Sequence, residues 1–269
     1  MKLSKSFIGL VTVSTIFMLY ASGLYKNLQS DSALEIVDFS IAKPASEKNI
    51  PSNPDRVPLY GDLHVHTKYS FDAYIFGVTA TPYDAYKYAI GEAIKHPLGF
   101  DMKLKEPLDF YAVTDHGFYM GMIENYADTS SEMSKNEWTK PMHNLNRPEN
   151  VTVESLGVRA NLFSSVLTQA IIKPYPYWHP KVWKAWLTNN IQVALQSFDY
   201  DVHKSAWADV ANAAEEFNDP GNFTTFIGYE FTTSTNVEGG NLHRNVIFDS
   251  SKAPIRPWTR IDSLNPEDL

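Results

Sequence analysis

Apolar residues are spaced along this chain in several ways, and each spacing predicts a different element. Phe7 to Leu19 is an apolar run behind a basic start at Lys2 and Lys5, and Ala21-Ser22-Gly23 offers a small-x-small cleavage site. Residues 1–23 therefore read as an export signal, or as an uncleaved N-terminal anchor, since the run approaches the ~20 apolar residues that cross a bilayer. Residues 24–56 are polar and carry three prolines. They predict a linker or extended arm, with the ordered domain running from 57 to 269.

From Val57 the pattern changes. Val57, Leu59, Leu63 and Val65 predict a first strand. A helix follows over Thr81–Ala89, with Thr81 as cap, Pro82 in the first turn, and Ala85, Tyr88 and Ala89 on one face. Leu108 to Val113 is a short apolar run, the second strand. Residues 118–222 form a long, mainly helical insertion. Its helical stretches are Val151–Ile172, Val182–Phe198 and His203–Phe217; Trp183, Trp186, Leu187, Ile191, Leu195 and Phe198 make a core-facing stripe in the second, and Asp219-Pro220-Gly221 stops the third. Phe223–Tyr229 is a third strand and Leu242–Phe248 a fourth. Strands and helices alternate, which predicts an α/β fold.

Composition narrows the function. The formal charge is −8, with no basic cluster, which argues against a nucleic-acid partner. There is no cysteine, so disulfides, thiolate metal sites and a cysteine nucleophile are excluded. Any metal must be held by His, Asp and Glu. The 15 Tyr, 15 Phe and 6 Trp suit a filled core and a ring-lined cleft.

Those ligand types recur at strand ends. His64 and His66 are two apart on the first strand, so both imidazoles leave one face. Asp72 follows after a short turn and adds a hard oxygen. The second strand runs into Thr114-Asp115-His116, where His116 is a third ligand candidate and Asp115 either ligates or orients an imidazole. The third strand ends in Glu230, which is costly after an apolar run unless paired or metal-bound. His243 heads the fourth strand. Lys68 and Arg244, each beside a proposed ligand, are candidates to hold phosphate. His96, His143, His179 and His203 have no partner at telling spacing.

In this order and context the set resembles the PHP superfamily, named for polymerase and histidinol phosphatase domains. The resemblance runs from about Leu59 to Phe248. Several stretches, among them Leu59-Tyr60-Gly61-Asp62-Leu63-His64 and Asn241-Leu242-His243-Arg244-Asn245, look closer still to an exported bacterial family of unknown function with a PHP-like core. The resemblance implies a distorted (β/α)7 barrel, incomplete in this chain, with two or three divalent ions (zinc, manganese or iron) at the strand ends. His64, His66 and Asp72 match the first motif, His116 the second, Glu230 the metal-bridging glutamate and His243 the histidine after it. The later His and the closing Asp-x-His have no counterpart after Phe248, so the chain reads as an N-terminal portion of that domain.

The function expected is metal-dependent hydrolysis, of a phosphate ester before an amide or ester. Asp115 would orient His116 or move a proton. The substrate would be a small, phosphorylated molecule, met in the periplasm or cell envelope. The rival from another class is an exported protein that holds metal for folding alone.

Overall fold

The computed structural model describes residues 35–41, 57–169, 198–234, 241–262 and 266–269. The predicted signal or anchor and the Trp183–Leu195 stripe lie outside these residues. Among the described residues no helix is long and apolar enough to cross a membrane.

In chain order the elements are β1 (Ile36–Asp38), β2 (Gly61–Val65), α1 (Phe71–Ile75), α2 (Pro82–Ala89), β3 (Ile94–Lys95), β4 (Asp101–Met102), β5 (Phe110–Val113), α3 (Met122–Ala127), α4 (Leu156–Gln169), α5 (Tyr200–Phe217), β6 (Thr224–Thr225), β7 (Gly228–Ser234), β8 (Asn241–Ile247) and β9 (Lys252–Pro254). Strands β2, β5 and β6 form a parallel sheet with β5 in the centre; β7 with β8, β1 with β9, and β3 with β4 pair in twos. The chain is thus mixed α/β with small sheets, and no barrel closes among the described residues.

Local chemistry explains the two helices that cover the sheet. At α2, Thr81 Oγ1 accepts from the Asp84 amide at 3.1 Å and Asp84 accepts from the Thr81 amide at 2.9 Å, a closed capping box worth about 1 kcal/mol. At α5, Asp199 accepts from the amides of Asp201 and Val202. Along α5 one face buries His203, Ala206, Trp207, Val210, Ala211, Ala213 and Ala214. The small residues let α5 approach α2 and β5 closely, and Trp207 Nε1 donates to the Pro254 carbonyl of β9 at 2.6 Å. That core takes in Tyr86, Tyr111, Val113, Tyr229 and Phe231. A second core gathers Phe71, Ile75, Phe118, Met122, Ile123, Tyr126 and Leu162 from α1, α3, α4 and the turn after β5.

Four expectations are adjusted. The polar arm contributes β1, and Phe39 beside it packs edge-on against Trp207 at 6.4 Å. The first strand is shorter than predicted: Val57, Leu59 and Tyr60 precede β2 and are exposed. The third strand divides in two. Phe226 still donates to the Tyr111 carbonyl of the parallel sheet at 3.2 Å, but the Ile227 carbonyl accepts from Phe248, so the backbone changes partner there and continues as β7 against β8. The helix predicted from Val151 starts at Leu156, after a 3₁₀ turn at Val153–Ser155.

Candidate metal centre

Strand register brings the ligand candidates together. β2 and β5 run parallel, so His64, His66 and His116 all sit toward their carboxyl ends. Past β5 the chain pairs next with β7: His116 bridges Glu230, the Gly117 amide donates to the Glu230 carbonyl, and the Glu230 amide donates to the Asp115 carbonyl. Gly117 is required there, because a Cβ would lie 2.7 Å from Tyr229 Cδ2 and 3.1 Å from Pro257 Cβ. In the β7–β8 ladder Thr232 faces His243 and Glu230 faces Asn245. Glu230 and His243 are therefore diagonal neighbours on one face. Tyr229 and Phe231 point the other way, into the first core, and fix which face Glu230 takes.

Glu230 is the hub. Its side chain is 1% exposed, with Oε2 2.9 Å from His66 Nε2 and 3.3 Å from His64 Nε2. His116 Nδ1 lies 3.4 Å from the same oxygen, and His243 Nδ1 pairs with Oε1. On the far side of His116, Asp72 Oδ2 is 3.3 Å from Nε2, while Asp72 Oδ1 is 3.3 Å from His66 Nδ1. The side chains fall into three overlapping groups, His64-His66-Glu230, His66-Asp72-His116 and His116-Glu230-His243, with ligand atoms in each within 4.8 Å of one another. The groups share His66, His116 and Glu230, so they form one cluster of adjoining positions rather than separate sites.

Hydroxyls set the rings. His66 Nδ1 lies 2.9 Å from Ser70 Oγ, and His116 Nδ1 lies 2.7 Å from Thr232 Oγ1. Pairing each Nδ1 with a hydroxyl leaves each Nε2 for a ligand. Ser70 Oγ also accepts the His116 amide at 3.1 Å, which ties the two histidine-bearing segments together. Phe71 and Phe118 pack on the His116 ring at 4.9 and 5.9 Å.

Proton affinities report the same crowding. Burial works against a charged His66, but hydrogen bonds to Asp72 and Glu230 outweigh it and raise its pKa to about 10. Burial would raise both carboxylates; instead His116 and His66 drive Asp72 well below the usual range, and His66, His116 and His243 hold Glu230 at about 2. For His116 burial prevails and its pKa is lowered. In the protein alone, a proton on His66 offsets one of the two carboxylate charges. The residues fit a divalent ion: nitrogen and oxygen donors converge, and the buried His66 Nε2 has no hydrogen-bond partner of good geometry.

The other candidates stand apart. Asp115 is fully buried, and Thr67 occupies it, donating from its amide at 2.5 Å and its hydroxyl at 2.6 Å. It joins the turn after His66 to the segment bearing His116, and burial pushes its pKa up to about 6. Lys68 pairs with Glu124 at 2.9 Å and faces a polar cavity of about 790 Å³ that contains none of the cluster residues. Arg244 faces Phe231 in the ladder, so it leaves the hairpin on the side opposite His243, and Nη1 reaches the Pro266 carbonyl at 3.4 Å. His143 Nε2 lies 2.9 Å from the Ser134 carbonyl, His96 stacks on Phe100, and His203 is buried in α5. His179 lies outside the described residues. Sequence reading missed Ser70, Thr67 and Thr232, whose hydroxyls carry no signal until the rings they serve are placed.

Fold and site together define a mixed α/β protein with a shared His/carboxylate cluster of metal-binding geometry. Residues 53–269 match the family described as "Protein of unknown function (DUF3604)", and the chain belongs to that family. This corrects the expectation of the PHP superfamily: the matching family is a different one, whose function is unknown. No curated protein and no solved structure matches the chain.

Proposed function

We propose that this protein is a metal-dependent hydrolase acting on a phosphate ester. The observation that carries the reading is the convergence of four imidazoles on the buried Glu230, whose two oxygens face different histidines, with Asp72 completing the cluster. A carboxylate so placed suits two adjoining cations, the arrangement that clamps the attacking and leaving oxygens of an in-line displacement at phosphorus. Divalent ions bound there supply Lewis acidity and a hydroxide nucleophile near neutral pH. Zinc, manganese and iron all suit this donor set.

The chain's own residues do the rest. His64, His66 and Glu230 would hold one ion, and His116, Glu230 and His243 would hold its neighbour. Asp72 and His116 Nε2 close the inner side. Ser70 and Thr232 keep the rings in place, and Asp115 locks the backbone that carries them. The cluster is lopsided: Glu230 and His116 are buried, while the side chains of His64 and His243 are 57% and 42% exposed. An open side favours catalysis over a closed structural site.

The parallel strands would be part of the wall of a distorted (β/α)7-type barrel, and the basic, apolar N-terminus would send the protein to the periplasm or envelope. The test is metal analysis of purified protein, then turnover of p-nitrophenyl phosphate, bis(p-nitrophenyl) phosphate and p-nitrophenyl acetate with zinc, manganese and iron. Metal uptake with phosphoester turnover that Glu230→Gln abolishes is the expected result. Turnover of the acetate alone, or phosphoester turnover that survives chelation, refutes the assignment.

A further inference from the structure

Arg159, Arg256 and Arg260 are buried arginines, at 2, 3 and 4% exposure, and they are satisfied very differently. Arg159 donates to the carbonyls of Ile75, Leu145 and Asn150 and to the side chains of Ser155 and Asn146. Arg256 makes a two-pronged pair with Asp262 at 2.9 and 2.6 Å. Arg260 has neither arrangement. Its Nε donates to the Thr232 carbonyl at 2.9 Å, its guanidinium lies 4.1 Å over the Phe118 ring, and its buried Nη2 has no hydrogen-bond partner among the described residues. No carboxylate pairs with it among the described residues, and burial pushes its pKa down to about 10. A buried charged donor without an acceptor is costly, and an absent ligand is one of the few things that explains it.

Its place says which ligand. Thr232 and Phe118, the two residues that hold Arg260, are also the residues that flank the His116 ring. Arg260 is thus one residue removed from His116, through Thr232 and through Phe118, and its plane is fixed by a carbonyl and a ring. With two divalent ions bound, the carboxylates of Asp72 and Glu230 leave the centre strongly positive, and the guanidinium adds to that charge. An anion held between them relieves the repulsion.

We propose that Arg260 is the specificity residue that receives an oxyanion of the substrate, a phosphoryl group, beside His116. This rests on the metal-centre reading, and it replaces Lys68 and Arg244, both of which are engaged elsewhere. Guanidinium suits the task because its planar fork matches phosphate oxygens.

The test is calorimetric binding of inorganic phosphate to manganese-loaded wild-type, Arg260→Met and Arg260→Lys proteins, with sulfate and acetate as parallel arms. Metal content and circular dichroism are read on each sample. Arg260→Met is expected to weaken phosphate by about tenfold or more, with Arg260→Lys between it and wild type and metal content unchanged. If the methionine variant does not fold, the lysine variant decides: a loss of about threefold supports the assignment, and unchanged affinity overturns it. Wild-type protein that holds metal but no phosphate overturns it, as does Arg260→Met binding within about twofold of wild type. Acetate binding as tightly as phosphate overturns the phosphoryl class. Wild-type protein that takes up no metal refutes the metal centre instead; phosphate binding that still depends on Arg260 in that sample leaves the arginine's role standing.

Discussion

Replacing Glu230 by glutamine keeps the shape of the side chain and removes one negative charge from a position facing four imidazoles. Burial alone would raise this carboxyl, yet the imidazoles hold it at about 2 against an ordinary 4.5. At about 1.4 kcal/mol per pKa unit, the ionised carboxylate contributes about 3 kcal/mol to the metal-free fold. The sign follows from the lowered pKa. The contribution is complete above pH 4.5 and is lost as the pH falls through about 2. Urea unfolding of chelator-treated protein at pH 7 should therefore show Glu230→Gln less stable by about 3 kcal/mol, a gap that closes in acid. Alanine is the poorer choice, because it adds a cavity beside buried rings and confuses packing with charge. The same glutamine variant should lose metal by more than the ~10–100-fold typical of outer partners, since it takes an oxygen from both neighbouring positions. Equal unfolding midpoints at pH 7, or full metal content in the variant, would refute the view of Glu230 as the shared hub.

Metal uptake should release a proton, because His66 is raised to about 10 and must give up a proton to ligate. Between pH 6 and 8.5 the apparent affinity should then tighten by about tenfold per pH unit, measured by competition with a chromophoric chelator, and a flat profile counts against His66 as ligand. Arg159→Met offers a contrast away from the cluster: it strands the carbonyls of Ile75, Leu145 and Asn150 and should cost about 3 kcal/mol in urea unfolding while leaving metal stoichiometry unchanged. Loss of metal in that variant would mean that the second core governs the centre more tightly than its contacts indicate.

Much of this was legible in the chain. Thr81 and Pro82 announced α2, the Asp219-Pro220-Gly221 stop announced the end of α5, and the six ligand candidates all reach one cluster. Caps, stripes and turns are legible because their free energy is local, settled by residues three or four apart. What the sequence could not say was which residues share a face across long separations. The change of partner at Ile227, the Thr232–His243 register and the His116–Glu230 bridge decide that Glu230 is a hub rather than a strand tip, and that Arg244 turns away. Ser70, Thr232 and Arg260 acquire meaning only from those pairings, since a hydroxyl or a guanidinium has no role until packing places an imidazole beside it. The chain itself determined the donor set and the local elements; the two cores, by fixing strand register, decided where the donors meet.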